Sequence, residues 1–345
     1  MSSERSGSNL LRKMLGAHPR LSAPPPPHLW RHLTQVLPYY GPLVQDNGFE
    51  ALLTDALALT QVPGSHLQWK YPFTVDDIRA RVSVRSLGAV IAALYDCYAA
   101  QEASDGWVCK ENNLFDHAFQ ILETRPEAKF IYLCRDGRDV ACSVQRVPSH
   151  DQHLFFIAQE WRTEQEKCIR VYQELHTRGA AMLLRYEDLL ENPEPSLIRL
   201  CDFLKIEYHP QMLAYHEEEE TKKDAAKTQY WQNLDKPVLK NNKAKFLAQL
   251  SPADIRLFEQ VAGPLLQALG YPLLFSPAYK PLPRWQYAWF WLQNRLQRRR
   301  LRGQLQQEPG RAEREKILMR LRGREKQTLP TYAAPLTYPS LQEKP

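Results

Sequence analysis

Two short segments, about 130 residues apart, concentrate the side chains that bind anions. The first, Ser3-Glu4-Arg5-Ser6-Gly7-Ser8-Asn9, sets one glycine, three hydroxyls and an arginine ahead of a helical pattern. Amide hydrogens exposed at the start of a helix, with the positive end of its dipole, form a ready site for phosphate or sulfate. The second is Cys134-Arg135-Asp136-Gly137-Arg138-Asp139-Val140-Ala141-Cys142-Ser143, an apolar run ending in arginine and turning into a helix. In an α/β sheet ligands bind at the carboxyl ends of strands, so Arg135 emerges at the crevice and Ser143 faces it two turns along. Arg138 and Asp139 read equally as charges on a helix surface. The first loop is not a Walker A loop, which needs G-x-x-x-x-G-K-[ST]. Taken alone, it also reads as a capped helix in a polar loop.

The elements that must hold these residues follow from periodicity. Leu10, Leu11, Met14 and Leu15 share a helical face over residues 8–17, ended by His18-Pro19. Lys129–Cys134 and Ala180–Leu184 read as buried parallel strands, with Trp107-Val108-Cys109 a shorter candidate. Helical patterns at 137–147, 153–176 and 196–204 alternate with them, which argues for an α/β sheet with crossover helices. Ser22–His28 contains four consecutive prolines and must be extended. Residues 29–104 read as several helices, and Ser251 and Gly270 as the start and stop of another.

The chain has 345 residues and is 43% apolar, enough for a substantial core. A net charge of +6 is too mild for a nucleic-acid protein. The excess is local: Pro281–Pro345 holds 14 Lys and Arg against 5 Asp and Glu. Six cysteines without a C-x-x-C pair imply a reducing compartment, and with neither a leader nor a membrane span in view the expected location is cytoplasmic.

Together the two anion-binding segments resemble the sulfotransferases that use 3′-phosphoadenosine 5′-phosphosulfate, in particular the bacterial branch and the tyrosylprotein sulfotransferases. The similarity continues through Arg185-Tyr186-Glu187-Asp188-Leu189-Leu190-Glu191-Asn192-Pro193, then Lys236-Pro237-Val238, Lys245 and Leu266–Tyr271, covering about residues 1–275. It implies a P-loop-type parallel sheet flanked by helices, in a domain spanning 1–278 whose helical region 29–104 forms much of the acceptor site. It also implies that Arg5, Ser6, Gly7, Ser8 and Asn9 form the 5′-phosphosulfate loop, and that Arg135 and Ser143 bind the 3′-phosphate. Tyr186 lies near the adenine, Lys245 reaches the cofactor phosphates, and Lys110 takes the place of a catalytic lysine. The mechanism demands no metal: an acceptor attacks sulfur in line, and Arg5 and Lys110 neutralise the charge that grows.

The chain departs from the family pattern in three places. Asn112 stands where a proline usually follows Lys110, and Pro26 stands about where relatives carry a glutamate base. His28, two residues on, suits the role of base by its ordinary pKa and reads equally as a packing histidine. His28 and His32 lack a third ligand for zinc. Met1-Ser2-Ser3-Glu4 supplies no buried strand ahead of the loop, so the first strand is expected to be truncated, or the true start to lie upstream.

Residues 279–345 are expected to form a basic, aromatic helical extension with a polar tail. Five aromatics beside a cluster of arginines at 284–302 fit either peripheral contact with an anionic membrane or docking and self-association. The run Glu217–Glu220 reads as a solvated loop. A sulfotransferase is the leading reading, with a degenerate cofactor-binding relative or a P-loop phosphotransferase as alternatives. The acceptor is not specified by the sequence.

Overall fold

Strands and helices alternate as the apolar runs dictate. The computed structural model describes residues 1–275, 283–305 and 309–327. The strands are β1 (Leu21–Ser22), β2 (Gly106–Trp107), β3 (Phe130–Cys134) and β4 (Ala181–Arg185). In the first half of the chain the helices are α1 (Ser8–Gly16), α2 (Leu29–Val36), α3 (Asp46–Thr60), α4 (Val75–Arg79), α5 (Leu87–Gln101), α6 (Ala118–Thr124), α7 (Gly137–Val144) and α8 (Leu154–His176). They continue with α9 (Tyr186–Glu191), α10 (Pro193–Leu204), α11 (Glu219–Lys227), α12 (Phe246–Gln249), α13 (Pro252–Ala268), α14 (Arg284–Leu305) and α15 (Arg311–Gln327).

β3 and β4 pair in parallel, from Phe130 opposite Ala181 to Cys134 opposite Arg185, with α7 and α8 as the crossover. Tyr132, Trp161 on α8 and Phe258 on α13 are almost wholly buried between sheet and helices. Gly137 is required at the start of α7: a Cβ there would come within 2.6 Å of the Trp161 ring. Ser251 and Asp254 form the reciprocal cap of α13, and Gly270 follows it with φ +79°, as the sequence led us to expect.

The sheet is not continuous. β1 pairs with β2 in a separate parallel ribbon. On the edge of β3 away from β4, the Met1 amino group donates to the Ile131 carbonyl, and the Leu133 amide donates to the Met1 carbonyl at 2.9 Å. A single residue therefore occupies the ladder where an apolar strand ahead of the loop would lie. The Met1 side chain packs against the cores on both sides of this gap.

α2, α3 and α5 bury Leu33, Leu52, Leu94 and Tyr95 in a second core. One expectation changes here. The acidic run is not a loop: Glu219 and Glu220 open α11, whose Asp224 pairs in the interior with Lys13 at 2.7 Å and Arg12 at 3.7 Å. The C-terminal extension packs on this core: α15 lies across α2 and α3, with Leu321 buried and Arg320 and Arg324 held by buried Asp55 at 3.0 and 2.7 Å. The 278/279 boundary and the tail beyond 327 lie outside the described residues.

Candidate functional site

The loop before α1 is shaped by two left-handed residues, Arg5 (φ 64°) and Gly7 (φ 89°). Gly7 lies flat against Tyr186, where a Cβ would sit 2.3 Å from two ring carbons. The loop thus brings the start of α1 to a cleft of about 930 Å³. Gly7, Ser8 and Asn9 line that cleft. Ser6 does not: it is fully buried, its hydroxyl 2.7 Å from that of Ser3, so its side chain braces the loop rather than contacting a ligand.

Arg135 enters the cleft from the end of β3, as expected. It donates to the carbonyls of Arg5 (3.0 Å) and Asn242 (3.1 Å) and lies 4.5 Å over the Tyr186 ring. Its Nε is buried and has no partner. Ser143, two turns along α7, accepts from Arg5 Nε at 3.0 Å and keeps its own hydrogen to donate. Lys245 lines the same wall, where burial and the nearby Arg135 lower its pKa. Asn242 donates to the Tyr186 hydroxyl at 2.7 Å, a contact with no signal in the sequence.

Arg138 and Asp139 are not surface charges. Each is 1% exposed. Arg138 bonds Asp136 and, at 2.5 Å, Glu259, while Asp139 accepts from the Phe246 amide at 3.0 Å. Glu187 accepts from the Asp136 amide and from Tyr271, tying β4 to the strand end that carries Arg135.

Lys110 follows β2 and donates to Asn112 at 2.9 Å; Asn112 in turn donates to Glu4. The residue replacing the family's proline thus links the lysine to the loop. Burial lowers the Lys110 pKa to about 8, against the opposing pull of Glu4. Burial works against the Glu4 charge, but the hydrogen bond from His150, with Lys110 and Arg31 nearby, brings Glu4 down to about 2.

His28 lines the cleft with φ 62°, as the residue preceding α2. Glu111 takes over the cap of that helix, accepting from the amides of Leu29 and Trp30. Burial, with Lys110, Arg314, His32 and Arg31 close by, holds the His28 pKa well below its ordinary value. It is therefore neutral at pH 7 and only weakly basic.

Two carboxylates that sequence reasoning passed over, Glu160 and Glu164, line the cleft from α8. Burial, reinforced by Glu160 and Glu4, raises Glu164 to about 8. Their i, i+4 spacing was visible, but nothing in the sequence separates them from the solvated charges of a long helix. From the C-terminal region Arg298, Arg311, Arg314 and Arg322 complete the lining.

A model of the sulfotransferase family matches residues 1–210. A Caenorhabditis briggsae sequence named "Putative protein-tyrosine sulfotransferase" is 30% identical over 160 residues, covering 44% of this chain and 55% of its own length. A Caenorhabditis elegans sequence of the same name is 29% identical over 104 residues, covering 28% and 39%. The chain thus spans about half the length, or less, of these curated relatives. Two solved structures share the fold, each with a TM-score of 0.50. The sulfotransferase domain of the Synechococcus PCC 7002 olefin synthase is 22% identical and covers 76% of this chain and 92% of its own. The sulfotransferase domain of the curacin biosynthetic pathway is 20% identical and covers 79% and 96%.

Proposed function

The chain belongs to the sulfotransferase family, and from that premise we propose that it transfers a sulfonate group from 3′-phosphoadenosine 5′-phosphosulfate to a hydroxyl or amine acceptor. One convergence carries the reading: the α1 N-terminus, the Arg135–Ser143 pair and Lys110 all open onto one cleft. The residues present fit such a donor. Arg135 Nε and Asn9 Oδ1 are buried without partners, and Gly7, packed flat on the Tyr186 ring, lets the loop take the tight turn that leads into α1.

When bound, the donor supplies an electrophilic sulfur whose leaving group is a phosphate. Arg135, the Ser143 hydroxyl and Lys245 hold the 3′-phosphate, and Tyr186 borders the adenine. Amides of the Gly7–Asn9 turn and the Arg5 guanidinium hold the 5′ end. Arg5 and Lys110 set positive charge where negative charge grows, each contributing about 3–4 kcal/mol, the scale of one preorganised donor in a water-poor site. A base must take the acceptor proton. His28 has a free lone pair but depressed basicity, whereas a carboxylate raised to about 8 is better matched to that task, which favours Glu164.

Calorimetric titration with adenosine 3′,5′-bisphosphate tests the reading, with ATP and Mg²⁺ as control. Micromolar binding that Arg135→Ala abolishes, with no binding of ATP, supports it. Preference for ATP would return the phosphotransferase alternative. Binding of the bisphosphate without turnover on any acceptor would leave a degenerate relative.

A further inference from the structure

α14 carries apolar residues on two opposite faces. One face is docked: Phe290 stacks on His153 with ring centres 4.3 Å apart, and Tyr287 and Phe290 pack on Phe155. Asn294, buried beside them, accepts from the amides of Gln152 and His153 and donates to Asp151. This interior anchoring fixes which side of the helix points away.

At 100° per residue, Trp285, Trp289, Leu292 and Leu296 form a stripe on the opposite side. They are 72%, 53%, 41% and 46% exposed. The stripe runs about 17 Å along the helix. Arg295 and Arg299 flank it on one side and Arg300 on the other, all exposed. Residues 283–305 contain six arginines and no acidic residue.

We infer that this stripe is the seat of an anionic lipid surface, on which α14 lies flat. Indole rings prefer the headgroup region, where an apolar body and a polar N–H are both satisfied. Guanidinium groups flanking them pair with lipid phosphates. A second copy of the chain fits less well, because its own α14 carries six arginines and no acidic residue and so offers nothing of opposite charge to them. With six arginines in its 22 residues the helix is not apolar enough to cross a bilayer, so it rests on the surface rather than spanning it. Arg298, on the docked side of the same helix, lines the cleft and pairs with Asp151 at 3.2 Å, so α14 links the cleft to the lipid-facing stripe.

The test is sedimentation of the full chain with vesicles of phosphatidylcholine alone or mixed with phosphatidylglycerol, with tryptophan emission read in parallel. Binding to the mixed vesicles with a blue shift, weakened by salt, is the expected result. Trp285→Ala with Trp289→Ala lowers partitioning at least about tenfold. Arg295→Gln with Arg299→Gln and Arg300→Gln removes the preference for phosphatidylglycerol. All five side chains are exposed, so urea unfolding of both variants should match the parent. Absence of vesicle binding by the parent, or binding unaltered in the tryptophan variant, overturns the inference. So does a dimer, seen by sedimentation velocity, that the tryptophan variant abolishes while vesicles leave the parent unbound.

Discussion

Lys110→Met should leave a more stable protein that works far less well. Lowering the lysine from its ordinary 10.5 to about 8 means that burial, net of the attraction of Glu4, disfavours the charged form at pH 7 by about 3 kcal/mol. The substitution removes that penalty and keeps an unbranched side chain in the space. It also forfeits the bond to Asn112, worth about 1–2 kcal/mol, while the attraction of Glu4 is already contained in the lowered pKa. The net expectation at pH 7 is a gain of about 1–2 kcal/mol in urea unfolding, alongside a fall in sulfonate transfer of about 10²–10³. The pH dependence supplies a second reading. Between about 8 and 10.5 the folded parent holds fewer protons than the unfolded chain, so its stability rises with pH across that window. The variant lacks that slope. Transfer by the parent should peak near pH 8, rising as Glu164 ionises and falling above that pH as the ammonium is lost. A variant that is less stable than the parent and transfers sulfonate at the parental rate would refute the assignment, making Lys110 a structural residue.

Gly7→Ala adds a methyl group where Tyr186 already sits and demands a left-handed backbone, so unfolding free energy should drop by about 2–4 kcal/mol and bisphosphate affinity at least tenfold. Gly179→Ala, at φ +63° with open space around it, should cost only the backbone share, about 1–2 kcal/mol, and leave affinity unchanged. Glu164→Gln should lower turnover by at least about 10² while sparing bisphosphate binding, with His28→Ala changing turnover little; the reverse pattern would return the base to His28. Asp55→Ala strips the acceptor from Tyr40, Arg320 and Arg324, and with both arginines partly exposed it should cost about 2–3 kcal/mol. Hydrogen exchange should then show α15 losing protection before α2 and α3.

The strands beside the site were legible because FIYLC and the run before Arg185 are apolar on both faces, and only a buried parallel strand tolerates that. The α1 loop was legible for a similar reason: glycine and hydroxyl residues ahead of a periodic apolar face have few other uses. The fate of the C-terminal region was not. α15 is polar around most of its circumference, and the features that seat it, Leu321 in the core and Asp55 beneath two arginines, lie more than 260 residues apart in sequence. Local pattern holds no record of such pairings. Composition marked the aromatic–arginine segment correctly as unusual but could not show that one aromatic face is docked and the other bare.

The charge run after β3 shows most clearly why burial escapes sequence reading. Four charged residues split by one glycine look like a solvated helix start, yet Arg138 is closed between Asp136 and Glu259, and Glu259 also accepts from the amides of Leu274 and Phe275. Asp136 caps α7 through the Arg138 amide. Glu187, from the motif after β4, holds the Asp136 amide from the other side. In a low-dielectric setting such a network is favourable only when every member is paired, so removing one member would leave a buried charge without compensation. What the network secures is the direction of Arg135, which shares its strand end and faces the cleft with one nitrogen unused. Charges that read as surface decoration therefore act as the rigid mount for the residue that meets the anion, and the paired carboxylates come from α7, α9 and α13, three elements no local window spans.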